Sequence, residues 1–349
     1  MKKSVIILSI ILLSISLTSC HVKTNNQIHK SLNIDNASII PQNTIPLGFD
    51  KYQKRILLAI ENKNNEKTEL GFYDLNTSVV KPVVKPVNTD KNIINAATDG
   101  KYIAWVEASD NPYGNDWIIY AYNIKNGTIK KIDYGKLNEK SASKVSFNQQ
   151  PNLSLDSSKL VWSTYEIQNN KILCSLILYD LANDKKQVIR SIDGLGNSYI
   201  GHPKIFGNYI VWHEGKIEEQ SEVGKIYLYN IRNSKIAKIS DNGFTPNIYG
   251  ENIVWVSDKS HITLYNLKTK NTVEIVKGDA VERWFPSLND TYITWYDNMG
   301  ILELYNIKTG KLQDFPIKTN NFSSIMGNVL SWTKLENNKG ITQFITLSE

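Results

Sequence analysis

An apolar run that ends in tryptophan, followed by an alternating run that ends in tyrosine, recurs along almost the whole chain. The first run reads KYIAWVE at Trp105, KLVWSTYE at Trp162, YIVWHE at Trp212, NIVWVSD at Trp255, YITWYD at Trp295 and VLSWTKLE at Trp332. Successive tryptophans stand 57, 50, 43, 40 and 37 residues apart, and RILLAIE fits the same frame with Ala59 in the tryptophan place. The second run ends at Tyr73, Tyr122, Tyr179, Tyr229, Tyr265 and Tyr305, with a degenerate copy at Phe344. Apolar and β-branched residues at period two, then Asn or Asp and a Gly- or Lys-containing turn, mark a strand entering a tight hairpin. The Asn or Asp side chain can bond the backbone two residues on and hold that turn.

Ahead of many tryptophan runs lies a short segment opening with proline: QPNLSL, HPKIFG, TPNIYG, FPSLND. Proline suits the first residue of a strand, where its missing N–H breaks no ladder bond. Each unit therefore reads as four strands, a to d, and four antiparallel strands recurring at this period describe a propeller blade. The expected fold is all-β, a β-propeller of four-stranded antiparallel blades over residues 45–349. Seven units give seven blades; six would remain if the tryptophan-less first unit lay outside the ring. The last unit stops after its third strand, and Asn36 to Ile40 (NASII) has the length and bias to supply the fourth and latch the ring. Over residues 45–349 the units resemble the TolB-type propeller repeat, related in plan to WD repeats without their Gly-His and Trp-Asp signatures. That resemblance implies a fold and an extracytoplasmic binding role more than an activity.

The amino terminus reads as an address. Lys2 and Lys3 precede an apolar stretch, Val5 to Leu17, too short to cross the roughly 30 Å of a bilayer core as a helix and so a cleaved export signal over residues 1–19. Leu17-Thr18-Ser19-Cys20 resembles the bacterial lipobox, whose cysteine is acylated and becomes the first mature residue. Cys20 would then anchor the protein to the outer leaflet of a bacterial membrane, facing the cell surface or the periplasm. Residues 20–44, rich in Asn, Lys, Ser and Thr, read as a tether.

The only other cysteine, Cys174, sits in the apolar run ILCSLILY, so no disulfide is expected within the chain and the thiol reads as a small buried hydrophobe. The formal net charge of +6 is spread singly through turns, with no basic stripe, which excludes nucleic acid as the expected partner.

Long connections gather on one face. In a propeller the d–a connections and b–c hairpins share a face, and 107–117, 133–150, 190–202 and 213–225 all belong to it, whereas the c–d turns stay short. Two constellations follow. The positions just before strand a, at the channel mouth, are Gln149, His202, Thr245, Arg283, Trp284 and Phe285. An aromatic beside an arginine can stack on a sugar or clamp a carboxylate; the same rings can instead wedge adjacent blades. The second is an acidic residue shortly after each repeat position, including Glu107, Glu166, Glu214, Asp258 and Asp297. Pointing inward they would form a carboxylate ring; as turn residues, the commoner case, they would be solvated.

Motifs for zinc proteases, serine hydrolases, nucleotide loops and redox dithiols are absent. His202, His213 and His261 are the only histidines of the repeat region and fall in different parts of it, so no metal or cofactor is expected. The leading expectation is a non-catalytic, membrane-anchored propeller that binds a protein, peptide or envelope glycan on its elaborated face. The alternatives are a polysaccharide lyase or hydrolase using Arg283, Trp284 and His202 at the mouth, and a structural lipoprotein of an envelope assembly.

Overall fold

The computed structural model describes residues 37–41, 43–62, 67–109, 115–137, 139–145, 150–196, 198–218, 221–277, 281–313, 315, 317–319, 321–336 and 339–347. Cys20, most of the tether and Gln149 lie outside the described residues.

Strand β1 (Ser38–Ile39) precedes the first blade. Blade 1 is β2 (Thr44–Asp50), β3 (Arg55–Asn62), β4 (Lys67–Asp74) and β5 (Val80–Val84). Blade 2 is β6 (Asn92–Thr98), β7 (Tyr102–Ala108), β8 (Ile118–Asn123) and β9 (Ile129–Tyr134). A single helical turn, α1 (Glu139–Ala142), leads to blade 3: β10 (Ser154–Asp156), β11 (Lys159–Gln168), β12 (Lys171–Asp180) and β13 (Lys185–Asp193). Blade 4 is β14 (Ser198–Phe206), β15 (Tyr209–Glu218), β16 (Ser221–Asn230) and β17 (Lys235–Ser240). Blade 5 is β18 (Phe244–Tyr249), β19 (Asn252–Ser257), β20 (His261–Asn266) and β21 (Thr272–Val276). Blade 6 is β22 (Arg283–Leu288), β23 (Tyr292–Asp297), β24 (Ile301–Asn306) and β25 (Lys311–Leu312), with β26 (Ile317–Lys318) also paired to β24. Blade 7 is β27 (Asn321–Met326), β28 (Val329–Glu336) and β29 (Lys339–Thr346).

Blade 7 takes its fourth strand from the other end of the chain. β1 pairs antiparallel with β29, Ser38 opposite Phe344 and Ile39 opposite Gln343. The seven sheets are thus the seven sequence units, each ordered a-b-c-d, with Ser38–Ile39 as the outer strand of blade 7.

Each tryptophan ends up buried because strand b lies inside its sheet and is covered on both faces by neighbouring blades. Trp105, Trp162, Trp212 and Trp295 are fully buried, and Trp255 and Trp332 are 1% exposed. The apolar core divides into seven clusters, one per blade interface. In six of them the tryptophan of one blade inserts among strand b and c residues of the blade before it: Trp105 against Leu57, Leu70 and Phe72, for example, and Trp162 against Ala104, Val106 and Ile119. The seventh, between blades 7 and 1, has no tryptophan; Ile40, Ile56, Leu58, Tyr73, Val329 and Phe344 fill it, with the Tyr73 and Phe344 rings edge-on at 5.7 Å. Truncating a buried Trp costs about 3–5 kcal/mol, so these interfaces are where the ring is held.

The turns repeat as faithfully. Asp74, Asn123, Asp180, Asn230 and Asn266 each accept a backbone N–H two residues on, and Asn306 accepts one three residues on. The residue after each of these donates its own N–H to the a–b turn of its blade, as Leu75 does to Lys54, Ile231 to Asn208 and Ile307 to Thr291. Sequence and structure part at two connections. Residues 190–202 are mostly the ends of β13 and β14, and 213–225 is a β-hairpin of β15 and β16, with ladder pairing out to Glu218 and Ser221.

Ile40 is 1% exposed within the closing cluster, whereas its neighbour Ile39 is 56% exposed. Ile40→Ala is expected to lower unfolding stability by about 2–4 kcal/mol, measured by urea denaturation. Ile39→Ala is expected to change it by less than about 0.5 kcal/mol. Equal effects would mean that the amino-terminal strand does not latch the ring.

Candidate functional site

Strand a of blades 4, 5 and 6 carries the same irregularity. The register slips between Gly201 and Lys204, between Phe244 and Asn247, and between Trp284 and Ser287. Two residues, His202-Pro203, Thr245-Pro246 and Phe285-Pro286, therefore stand opposite one tryptophan in each blade, which is a β-bulge. The residue before each proline is left-handed: φ is +48° at His202, +46° at Thr245 and +48° at Phe285. Bulky and β-branched residues avoid this region, and such strain gathers at ligand clamps and active sites. Of the mouth residues named from the sequence, His202, Thr245 and Phe285 are thus inside strand a, at its bulge.

The bulges aim these side chains at one another. His202 of blade 4 meets Phe285 of blade 6 with ring centroids 5.7 Å apart, past blade 5 between them. His202 also stacks on His213 at 5.5 Å, and His213 meets Tyr199 at 5.3 Å and Phe244 at 5.9 Å. Two glycines make this packing possible. A Cβ at Gly201 would lie 2.4 Å from the His213 ring, and one at Gly215 would lie 2.3 Å from the Tyr199 ring. On blade 6, Trp284 and Phe285 flank Tyr296 at 5.8 and 6.2 Å. Trp284 is 37% and Phe285 44% exposed, too open for rings that merely wedge blades together. Among the described residues Thr245 Oγ1 and His213 Nδ1 are buried without a hydrogen-bond partner.

Burial, reinforced by the nearby Lys204 ammonium, pushes the His202 imidazole down to about 4. Burial and then His202 hold His213 well below the ordinary histidine value. Burial also lifts the Cys174 thiol up to about 12; its Sγ accepts the Ile200 N–H, and the residue is the expected buried hydrophobe.

Other sequence candidates are engaged elsewhere. Arg283 is 5% exposed; its guanidinium donates to the Ser260 carbonyl at 2.6 Å and to Glu303 at 3.3 Å. Glu303 also accepts the Trp295 indole N–H. Arg283 therefore braces blade 6 and is not a free clamp. The post-tryptophan carboxylates form no shared cage and are mostly not solvated. Glu107 is fully buried and accepts from the Val87 and Asn88 backbone, the Asn88 amide and the Trp105 indole. Glu166 bonds Lys136 and Gln168, and Glu214 takes Arg190 through two nitrogens. Asp297, 4% exposed, caps its own turn through the Met299 and Ile301 N–H groups. Asp258 alone of the five is exposed, and it accepts from Asn242. Among the described residues no three His, Cys, Asp or Glu side chains are grouped as a metal site, and His261 lies apart, beside Glu274. Lys204, which sequence reasoning passed over, is marked in the sequence only as the one lysine following a strand-a proline.

The same face is built up by its hairpins. Strands b and c have ten residues each in blades 3 and 4 and six each in blades 5 and 6. Four added residues raise a wall of about 13 Å at roughly 3.3 Å per residue.

Because both imidazoles resist protonation when folded, the unfolded chain takes up protons first as pH falls. The contribution of His202 to stability is complete above the unfolded value near 6.5 and is lost as pH drops from there toward about 4, and that of His213 is lost in the same direction. Asparagine tolerates the left-handed conformation and does not titrate. His202→Asn is therefore expected to raise Tm over the natural chain more at about pH 5 than at about pH 8, by thermal unfolding. A pH-independent difference would contradict the buried neutral pair.

No family model matches the chain, and no curated protein matches it in sequence. Solved structures do match. The oligogalacturonate lyase of Vibrio parahaemolyticus is 14% identical, over 90% of this chain and 92% of that one, with a TM-score of 0.57. The β-propeller domain of the Trilobed protease from Pyrococcus furiosus, described as having an open velcro topology, is 15% identical over 90% and 97%, also at 0.57. The WD40 repeats of RRP9 are 12% identical over 91% and 99%, at 0.59. At such identities the likeness is one of fold: this chain is a seven-bladed β-propeller.

Proposed function

We propose that this protein is an exported lipoprotein, anchored through Cys20 to the outer leaflet of a bacterial membrane, whose propeller binds a protein, peptide or envelope glycan without catalysing its conversion. The lipobox-like LTSC and the preceding apolar segment support the anchor. Among the described residues no helix is long and apolar enough to cross a membrane.

The observation that carries the binding reading is the convergence of strained, exposed and unsatisfied groups at one mouth. Left-handed His202, Thr245 and Phe285, the open Trp284 ring and the Thr245 hydroxyl, buried and without a partner among the described residues, share the face that the long hairpins of blades 3 and 4 enclose. A rigid ring holds these groups in place beforehand, which spares a ligand much of the ordering cost of binding. The lyase or hydrolase alternative loses its arginine, since Arg283 is buried in contacts with Glu303 and Ser260.

Cys20→Ser is expected to abolish incorporation of radiolabelled palmitate and to move the chain out of the detergent phase; unchanged labelling would remove the anchor. Shortening the β15–β16 hairpin to the six-residue strands of blade 5, together with Trp284→Ala, is expected to abolish in-cell crosslinking to envelope partners. An unaltered crosslinking pattern would place binding elsewhere.

A further inference from the structure

The c–d turns of blades 1 to 6 lie on the face opposite the mouth, at its rim. In four of them the same place, two residues after the Asn that caps the turn, is basic: Lys125 in blade 2, Arg232 in blade 4, Lys268 in blade 5 and Lys308 in blade 6. All four are exposed, and Lys270 adds a fifth exposed charge to the blade 5 turn. Bases that stand singly along the sequence are thus gathered by the ring, with blades 4, 5 and 6 bringing most of them into one arc. Among the described residues none of the five is in an ion pair, and the one acid between strands c and d, Asp184 in blade 3, is paired with Lys130 at 2.5 Å.

Blunting of strand edges does not account for these bases, since they stand in turns and not on an unpaired edge. Turn formation does not account for them either. Asp74 and Asp180 cap the same turn in blades 1 and 3, and there the place two residues on is neutral, Asn76 and Ala182. Where the turn carries a base, the cap is the uncharged Asn, which accepts the same backbone N–H and sets no carboxylate beside the cation. The mouth face differs, because its b–c hairpins mix the signs: Lys171 with Glu166, Lys216 with Glu214 and Lys259 with Asp258. On the short-turn face itself, the a–b turns nearer the axis set Lys51 and Lys54 against Glu251 and Asp290, so the excess belongs to the rim.

Blade 7 has no c–d turn, and the amino-terminal segment arrives in its place. Ser38 lies opposite Phe344 and Ile39 opposite Gln343, while β29 runs toward the short-turn face to end at Thr346, so the chain enters β1 from the face of the c–d turns. That entry is next in the ring to the basic turn of blade 6. From Cys20, residues 20–36 can span at most about 60 Å even when fully extended.

Resting on the reading of Cys20 as a lipid anchor, we propose that the basic rim is a docking face for an anionic lipid surface, with the turns of blades 4 to 6 against the headgroups and the mouth turned away from the membrane. Two observations set the occupant. Exposed, spaced cations along one rim match a plane of lipid phosphates, and the chain that leads to the anchor leaves the ring at that same rim. The acyl chains hold the protein, and the bases orient it.

The test reconstitutes the full-length acylated protein into vesicles with a dye on one added cysteine, Thr309→Cys in the blade 6 c–d turn or Met299→Cys in its b–c turn. These positions lie beyond opposite ends of β24, a strand about 20 Å long. Cys174 is buried and stays unlabelled. Energy transfer to an acceptor on the lipid headgroups reads the height of each dye. On phosphatidylcholine vesicles with about a third phosphatidylglycerol, transfer from the Thr309 site is expected to exceed that from the Met299 site about twofold or more. The difference is expected to shrink by half or more on phosphatidylcholine alone, in about 1 M salt, and when Arg232→Gln, Lys268→Gln, Lys270→Gln and Lys308→Gln are combined. That fourfold variant is expected to melt with the natural protein, since all four side chains are exposed. Equal transfer from the two sites, greater transfer from Met299, or a preference that survives the four substitutions would overturn the docking face while flotation with the vesicles still upholds the anchor. An acylated chain that floats with neither kind of vesicle would remove the anchor, and the orientation with it. Capture of soluble polyglycerol phosphate by the rim, with no preference on vesicles, would overturn lipid as the occupant.

Discussion

The structure depends on one contact repeated around a circle: in six of the seven blades, a tryptophan in the second strand pressed into the face of the blade before it. A lone four-stranded sheet of this size leaves both faces wet, and its strands b and c are apolar on both. Stacking the sheets radially covers each face with the next sheet, and at six of the seven junctions a buried indole lies in the seam. Four of the six indoles are also pinned by hydrogen bonds: Trp105 and Trp212 donate to Glu107 and Glu214, two residues on, Trp295 donates to Glu303, and Trp332 donates to Gln343 across the sheet. Polar bonds within an apolar seam fix rotation as well as depth, so the blades have little freedom to slide.

A circle needs a last contact, and here it is the unusual one. The junction of blades 7 and 1 has no tryptophan, because Ala59 stands in that place, and the amino-terminal segment completes the outer sheet instead. Phe49 lies close against Gly327, where a Cβ would come within 2.4 Å of its ring. The segment that leads back toward the proposed lipid anchor is therefore the one that closes the ring. That closure in turn sets the diameter of the mouth, across which His202 and Phe285 meet.

Much of this was legible because it repeats. Seven copies of one pattern gave the blade count, the Asn and Asp turn caps and the missing outer strand, which is Ser38–Ile39. What stayed hidden is what happens once. The hairpin over residues 213–225 reads as a loop because charged residues crowd it, even though Ile217 and Val223 still keep an alternation. The Glu107 carboxylate answers amides at Val87 and Asn88, about twenty residues earlier in the chain, and Arg283 answers Glu303 twenty residues later; such partners follow from the ring and not from spacing. The left-handed turn at His202 had one local trace, the proline that follows it, shared with Thr245 and Phe285.

Closure by the amino-terminal strand is the claim on which the geometry of the mouth rests, and it can be tested by covalent capture. Ile40 donates to the Thr342 carbonyl, so the Ile39–Gln343 pair next to it is non-hydrogen-bonded, the closer kind of cross-strand pair and the one that suits a disulfide. An Ile39→Cys, Gln343→Cys double variant should cross-link on mild oxidation, raise Tm over its reduced form and leave partner binding intact. Failure of the pair to cross-link while the chain remains folded would show a ring that is open at this seam, and with it a mouth whose two sides are not held to each other.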